Sequence, residues 1–292
     1  MSRLFLGLPA PAKLNLFLHV TGRRADGYHE LQSLMVPITL ADTLDFEARS
    51  DGRIVRSGDV IGPLDDDLCL RAATLLQRQS GTAVGVDITV EKRIPAGSGM
   101  GGGSSDAATT LLALNRLWNL RWPRDRLAEL ALRLGADVPF FLGAGPALAE
   151  GVGERLTPLA WPPSWFAVIH PQVSVSTAEI FSSPQLTRST KALTIAAFSA
   201  LRDNAVRNGT SAWAELFGGN DLEPVVRRRY AAVEAAIAHL ARFGPARMTG
   251  SGSAVFSALP SESAAQEAVS ELPAGWQGWA VRGLAEHPLA GW

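Results

Sequence analysis

Cysteine is nearly absent from this chain. Cys69 stands alone among 292 residues, which excludes an internal disulfide and a cysteine-built zinc centre and suits a reducing compartment. The five histidines are scattered with no H-x-x-x-H spacing, which argues against a histidine metal site. No run of 18 apolar residues occurs, so no helical membrane span is expected. The first residues reach Pro9 and Pro11 before a signal-length apolar run develops, and the expected location is the cytoplasm. A net charge of −1 gives no electrostatic case for nucleic acid or an anionic membrane as partner. Lysine is scarce too: Lys13, Lys92 and Lys191 are the only three among 27 basic residues. A flexible point charge kept at so few places suits a phosphate or a nucleophile.

What is abundant is apolar residue and, at one place, glycine. Hydrophobic residues make up 47% and charged residues 19%, which describes a globular chain long enough for one large domain or two ordinary ones. Five glycines fall between Gly97 and Gly103, and Ser104, Ser105 and Asp106 follow them into an Ala/Leu-rich run with helical periodicity. Ser104 or Ser105 is expected to cap that helix. A glycine loop feeding a helix N-terminus offers backbone donors and a positive dipole end with no side chains in the way, a site for a polyphosphate.

Two familiar phosphate loops fail here. Counting from Gly97, a P-loop would place its lysine at position 103, which is glycine. The dinucleotide fingerprint matches at Gly97, Gly99 and Gly102, but it needs a strand ending in an acidic residue about 20 residues on. That region reads Trp118-Asn119-Leu120-Arg121-Trp122-Pro123, a helix end and a turn.

Along the chain, Lys13 to Val20 alternates as a strand, with Leu14, Leu16, Leu18 and Val20 on one face and Lys13, Asn15, Phe17 and His19 on the other. Lys13 and Asn15 therefore point together. Further strands are expected at Met35–Ile38 and Leu44–Phe46, then a polar hairpin around Asp51-Gly52. Asp65-Asp66-Asp67 starts a helix with Leu68, Ala72, Leu75 and Leu76 as its stripe. Val86–Val90 is a strand leading to Lys92 and the glycine loop. Pro123 opens a helix that Gly135 stops, and Asp137 follows beside the apolar run Val138-Pro139-Phe140-Phe141, well placed for a cleft. Trp161-Pro162-Pro163-Ser164 is the best linker, dividing the chain into 1–160 and 161–292. Phe166–Ile169 is a strand, residues 182 to 212 read as short helices and loops, and one long helix carries Val226, Tyr230, Val233, Ile237 and Leu240. Gly250, Ser251 and Gly252 form a glycine hairpin into a strand, Ser263 with Gln266 suggests a capping box, and Trp279–Val281 is the last strand.

Three of these strings resemble the three motifs of the GHMP kinase superfamily. Pro95-Ala96-Gly97-Ser98-Gly99-Met100-Gly101-Gly102-Gly103-Ser104-Ser105 resembles the second, with Met in the place of Leu, and Pro11–Leu16 resembles the first in its isoprenoid-pathway form. Met248–Phe256 resembles the third. The segment Arg24-Ala25-Asp26-Gly27-Tyr28-His29-Glu30-Leu31 and the string Gly135–Phe141 are similar to one branch, the 4-diphosphocytidyl-2-C-methyl-D-erythritol kinase family.

The resemblance implies an α+β, two-domain GHMP kinase fold: an N-terminal ribosomal-protein-S5-domain-2-like ATP domain, a C-terminal ferredoxin-like sandwich and an active site in the cleft between. It implies ATP and Mg2+, with Pro95 through Ser105, Lys92 and Asp67 at the nucleotide and Gly250, Ser251 and Gly252 closing over the phosphates. Relatives often carry Asn at the position of Asp67. It implies Lys13 and Asp137 as catalytic residues. Asn15, Tyr28, His29, Thr177 and Phe181 are implied at a small-molecule acceptor, a cytidine diphosphate ester of methylerythritol. The chain would be a monomer or homodimer, and the sequence names no metal ligand. Another GHMP kinase, the related diphosphomevalonate decarboxylase, a non-catalytic sensor and a dinucleotide-dependent oxidoreductase are the competing readings. The Asp26–His29 segment argues against the first two, and retention of both Lys13 and Asp137 against the sensor.

Overall fold

A computed structural model describes residues 4–162, 164–194 and 218–292. Two sheets organise it. In the first, β1 (Leu4–Arg23) and β2 (His29–Arg49) form a long antiparallel pair. The other edge of β2 is shared: β4 (Gly85–Glu91) takes residues 43–49 and β5 (Ala147–Gly151) takes residues 31–35. β3 (Ile54–Gly58) lies outside β4 and β6 (Arg155–Pro158) outside β5. The second sheet runs β10-β7-β9-β8, from Gln277–Arg282, Trp165–His170, Val255–Leu259 and Ala246–Met248, all antiparallel.

Several expectations change on the structure. The alternation from Lys13 predicts one buried and one mixed face, but both faces are covered, and Phe17 is as buried as Leu16. The two strands expected between residues 35 and 46 are parts of the single strand β2. Asp51-Gly52 makes no hairpin, because β3 pairs parallel with β4 rather than folding back on β2. A parallel pair needs a crossover, and α1 (Leu68–Ser80) supplies it. A one-turn helix spans Leu64–Asp66, and Asp67 caps α1 by accepting from Leu70 N at 3.0 Å. The expected long C-terminal helix is two, Glu223–Arg229 and Ala231–Leu240, broken at Tyr230 with φ −125 and ψ 92. Neither Gly nor Pro marks the break; both pieces bury their apolar residues in one core, and packing overrides the helical period. The last helix, Glu262–Ala268, is capped by Ser261 rather than by Ser263. Of the irregular stretch expected at 182 to 212, residues 195–212 lie outside the described residues.

Three apolar layers hold the halves together. Phe46, Ile88 and the α2 residues Ala107, Leu111 and Leu114 fill the first body, and α2 itself spans Gly102–Leu117. Ala167, Ile169, Ile237 and Val255 fill the second. Between them Leu14, Leu16, Met100, Trp161, Phe166 and Phe256 form a shared layer. The stretch of β2 left between β4 and β5 is met by the end of β10: Ile38 bridges Gly283, and Leu284 N donates to Pro37 O at 2.8 Å. The residues after β10 return to the first body, where Trp292 packs edge-on against Phe5 and Arg124 donates to the carbonyls of Leu289 and Ala290.

Candidate active site

A cavity of about 640 Å³ lies where β1, the glycine loop and the β8–β9 loop meet, within the usual range for small-ligand sites. Its floor is the start of α2. The helix begins at Gly102, with Gly101 as its N-cap at φ +76 and no side-chain cap, so neither Ser104 nor Ser105 plays the expected capping role. Ser105 N bonds back to Gly101 O at 2.9 Å, which leaves the amides of Gly102, Gly103 and Ser104 without intrahelical acceptors and facing the loop. A Cβ at Gly101 would stand 3.0 Å from the Phe141 ring and 3.4 Å from Lys13 Cε. Glycine is required there by both backbone angle and space.

Lys13 is 3% exposed and sits at the centre of this geometry. Its Nζ donates to Asn15 Oδ1 and, at 2.8 Å, to Gly99 O, while Asp137 Oδ2 lies 3.9 Å away. Burial pulls the Lys13 ammonium below the ordinary lysine range, and the charge on Asp137 pulls it back. Asp137 follows α3 (Arg124–Leu132) and occupies the N-cap position of α4 (Val138–Leu142) yet makes no capping bond, and its side chain is 37% exposed. A carboxylate kept from the amides beside it is left open toward the cavity it lines.

Asn15 is fixed on three sides, by Lys13, by Ser33 Oγ at 2.8 Å and through its backbone by Thr249 Oγ1 at 2.9 Å. Thr249 leads the third-motif loop, so the first and third motifs are bonded directly. Ala254 N also donates to Ser98 O at 3.0 Å, and a Cβ at Gly250 would meet Gly99 O at 2.7 Å. The second and third glycine loops therefore touch backbone to backbone. Asn220 completes the cradle, its Nδ2 donating to Met248 O and Gly250 O.

Two expected nucleotide residues carry partners that sequence does not reveal. Lys92 Nζ is held by Asp42 and by Asp106 Oδ2 at 2.6 Å, so its charge is already matched inside the protein. Asp42 also accepts from the amides of Arg93 and Ile94, anchoring the lead into the glycine loop. Burial drives the Asp106 carboxyl up to about 7, with Lys92 pulling the other way, and Asp106 Oδ1 has no hydrogen-bond partner among the described residues. Asp67, besides capping α1, accepts from Arg56 Nε at 3.0 Å with both side chains at least nine-tenths buried. Asp67→Asn can keep the cap with its one amide oxygen, but its NH2 then faces Arg56 Nε donor to donor and the buried guanidinium loses its counter-charge. It is expected to lower stability by about 3 kcal/mol, read from the urea midpoint.

At the other side of the cavity, Thr177 and Phe181 lie on α5 (Thr177–Ser182). Thr177 Oγ1 is 2.7 Å from Ser251 Oγ, and the Phe181 ring lies 5.1 Å from that of His29. Tyr28 is 66% exposed, at the tip of the β1–β2 connection and outside the cavity wall. Lys13, Asn15, Asp137, the two glycine loops, Thr177 and Phe181 thus come together, with His29 against Phe181.

Sequence reasoning passed over Asp42, Asp106, Arg56, Ser33, Thr249 and Asn220. Asp106 directly follows the serines of the loop and Asn220 precedes a helix, so position was a signal for these two. Thr249 lies inside the third glycine motif, whereas Asp42, Arg56 and Ser33 act through partners elsewhere in the chain that no local pattern marks.

The chain matches the GHMP kinases N terminal domain over residues 67–145 and the GHMP kinases C terminal family over residues 199–278. It is 54% identical over 289 residues to the 4-diphosphocytidyl-2-C-methyl-D-erythritol kinase of Methylibium petroleiphilum, covering 98% of this chain and 96% of that one. With the enzyme of the same name from Burkholderia multivorans it shares 52% over 281 residues, 96% and 94% of the two chains. A crystal structure of 4-(cytidine 5'-diphospho)-2C-methyl-D-erythritol kinase superposes with a TM-score of 0.81 at 37% identity, over 97% of this chain and all of the other. On its motifs, fold and relatives, the chain belongs to the 4-diphosphocytidyl-2-C-methyl-D-erythritol kinase family of GHMP kinases.

Proposed function

We infer that the chain is an ATP-dependent kinase that phosphorylates the 2-hydroxyl of 4-diphosphocytidyl-2-C-methyl-D-erythritol. The products are the 2-phosphate and ADP, a step of the methylerythritol phosphate route to isopentenyl diphosphate. The observation that carries the reading is the Lys13–Asp137 pair, 3.9 Å apart, set beside a helix N-terminus that presents free amides.

Phosphoryl transfer depends on positioning and charge neutralisation. The acceptor hydroxyl oxygen attacks the γ-phosphorus, its proton passes to an Asp137 carboxylate oxygen, and the bond to ADP breaks. Lys13 orients Asp137 and offsets charge on the transferring group. Asn15 holds the Lys13 ammonium in place. The amides of Gly102, Gly103 and Ser104 receive phosphate oxygens, and the loop at Gly250, Ser251 and Gly252 closes the cradle.

Among the described residues no three His, Cys, Asp or Glu cluster as a metal cage, and Mg2+ held mainly by nucleotide phosphates needs none. Asp106, with its buried unpartnered Oδ1, and Ser104 would hold it, and it would supply charge neutralisation for the nucleotide's phosphates. We assign 1–160 to the ATP-binding and catalytic domain and 161–292 to the C-terminal domain, as a cytoplasmic monomer or homodimer.

The test is an assay with ATP, Mg2+ and the cytidylyl substrate, with ADP measured by a coupled enzyme and product by mass. Formation of the 2-phosphate at catalytic rates is expected. ATP binding without product would move the acceptor to another alcohol.

A further inference from the structure

Arg188 stands at a junction that neither the motifs nor the chemistry above uses. Its Nε donates to His29 Nε2 at 3.0 Å. One of its Nη atoms donates to Phe181 O at 3.0 Å and Ser183 O at 2.7 Å, at the exit of α5, and the other to Leu186 O at 3.1 Å. One guanidinium thus ties the start of β2, in the first body, to the helix of the second that carries Phe181. In doing so it fixes both members of the His29–Phe181 ring pair.

A guanidinium has donors and no acceptor. The imidazole nitrogen it touches must therefore be the bare one, and in a neutral ring the proton must sit on the other. His29 is held neutral, because burial and the nearby charges of Arg188 and Arg23 all disfavour a second proton. Nδ1 has no hydrogen-bond partner within the described residues. His29 is therefore an imidazole with one tautomer selected, its Nδ1–H free, stacked on a ring that lines the cavity.

We propose that Arg188 is a positioning residue for the acceptor's base: it locks His29 as the Nδ1–H tautomer, so that the ring offers a donor to the acceptor edge of cytosine. This rests on the cytidylyl substrate proposed above. Lysine cannot replace Arg188, since one ammonium cannot serve His29 and the α5 carbonyls in the same geometry.

The experiment has two independent arms. In the free protein, 15N spectra of labelled histidine are expected to report His29 with a protonated Nδ1 and a bare Nε2 in the wild type, and a mixture in Arg188→Met. A wild type protonated at Nε2 overturns the proposal whatever the enzyme phosphorylates. In steady-state assays, Arg188→Met is expected to raise KM for the cytidylyl substrate about tenfold, the scale of one lost hydrogen bond. The kcat and the KM for ATP should stay within about twofold. That defect should shrink as pH falls through the His29 pKa, which burial and Arg23 still hold below the ordinary histidine range, because an imidazolium carries a proton on both nitrogens and restores the donor. Arg188→Lys is expected to resemble the Met variant. An unchanged KM, or a defect spread equally over both substrates with a lowered Tm and no pH rescue, overturns the proposal. Absence of wild-type turnover would count against the kinase reading instead, leaving the tautomer arm to decide.

Discussion

Asp137→Asn is expected to lower kcat at least about 100-fold, the usual scale for removing a general base. The substitution is nearly isosteric, and the side chain caps no helix, so folding and ATP affinity should survive. An amide cannot take the acceptor's proton. It also removes the charge that supports Lys13, whose ammonium burial already disfavours. With Asp137 gone, Lys13 should lose its proton at lower pH than in the wild type. Residual activity should therefore fall off earlier on the alkaline side, because the lysine helps only below its pKa. Single-turnover kinetics across pH 6–9 check both parts. A kcat within a few-fold of wild type would remove Asp137 from the base role.

The second large effect is expected from Gly101→Val. Valine at φ +76 is strained on its own account. Its Cβ would meet the Phe141 ring at 3.0 Å and Lys13 Cε at 3.4 Å, and its methyl groups would crowd further. The backbone must shift at the residue that opens α2, and with it the amides of Gly102 and Gly103. Lys13 is displaced in the same movement. We expect kcat/KM for ATP to drop at least about 100-fold, since small misplacements of positioned groups cost that much. Calorimetric titration of ATP into folded protein checks it, and unchanged affinity would place the phosphates elsewhere.

Much of the candidate site was legible because its parts are local strings. Lys13 and Asn15 show themselves by strand alternation, and the glycine loop by its density. Asp137 stands out as an acid set against an apolar run. The strand before the loop and the hairpin after Met248 follow from spacing of two and from glycine placement. What was not legible depends on contacts distant in sequence. Asp42 reaches Lys92 and the loop's lead across some fifty positions, Arg56 reaches Asp67 by the crossover, and Arg188 reaches His29 between the two bodies. The false hairpin at Asp51-Gly52 is instructive, for turn chemistry fixes where a chain bends and not which strand it pairs with next. Tyr230 shows the converse, an interruption that packing imposes on a string still periodic for a helix.

The seam between the glycine loops, with Ala254 N on Ser98 O and Thr249 Oγ1 under Asn15, bears on how such a chain can evolve. On the proposed function, neither body is a portable nucleotide-binding module, since each owns only one wall of the cradle. Fission or recombination near residue 160 would yield two parts without a complete site, so the pair must be inherited together. A change in one loop can persist only with an accommodating change in the other. New acceptors are reached more readily by varying α5 and the start of β2, where the ring pair can diverge without unpicking the seam.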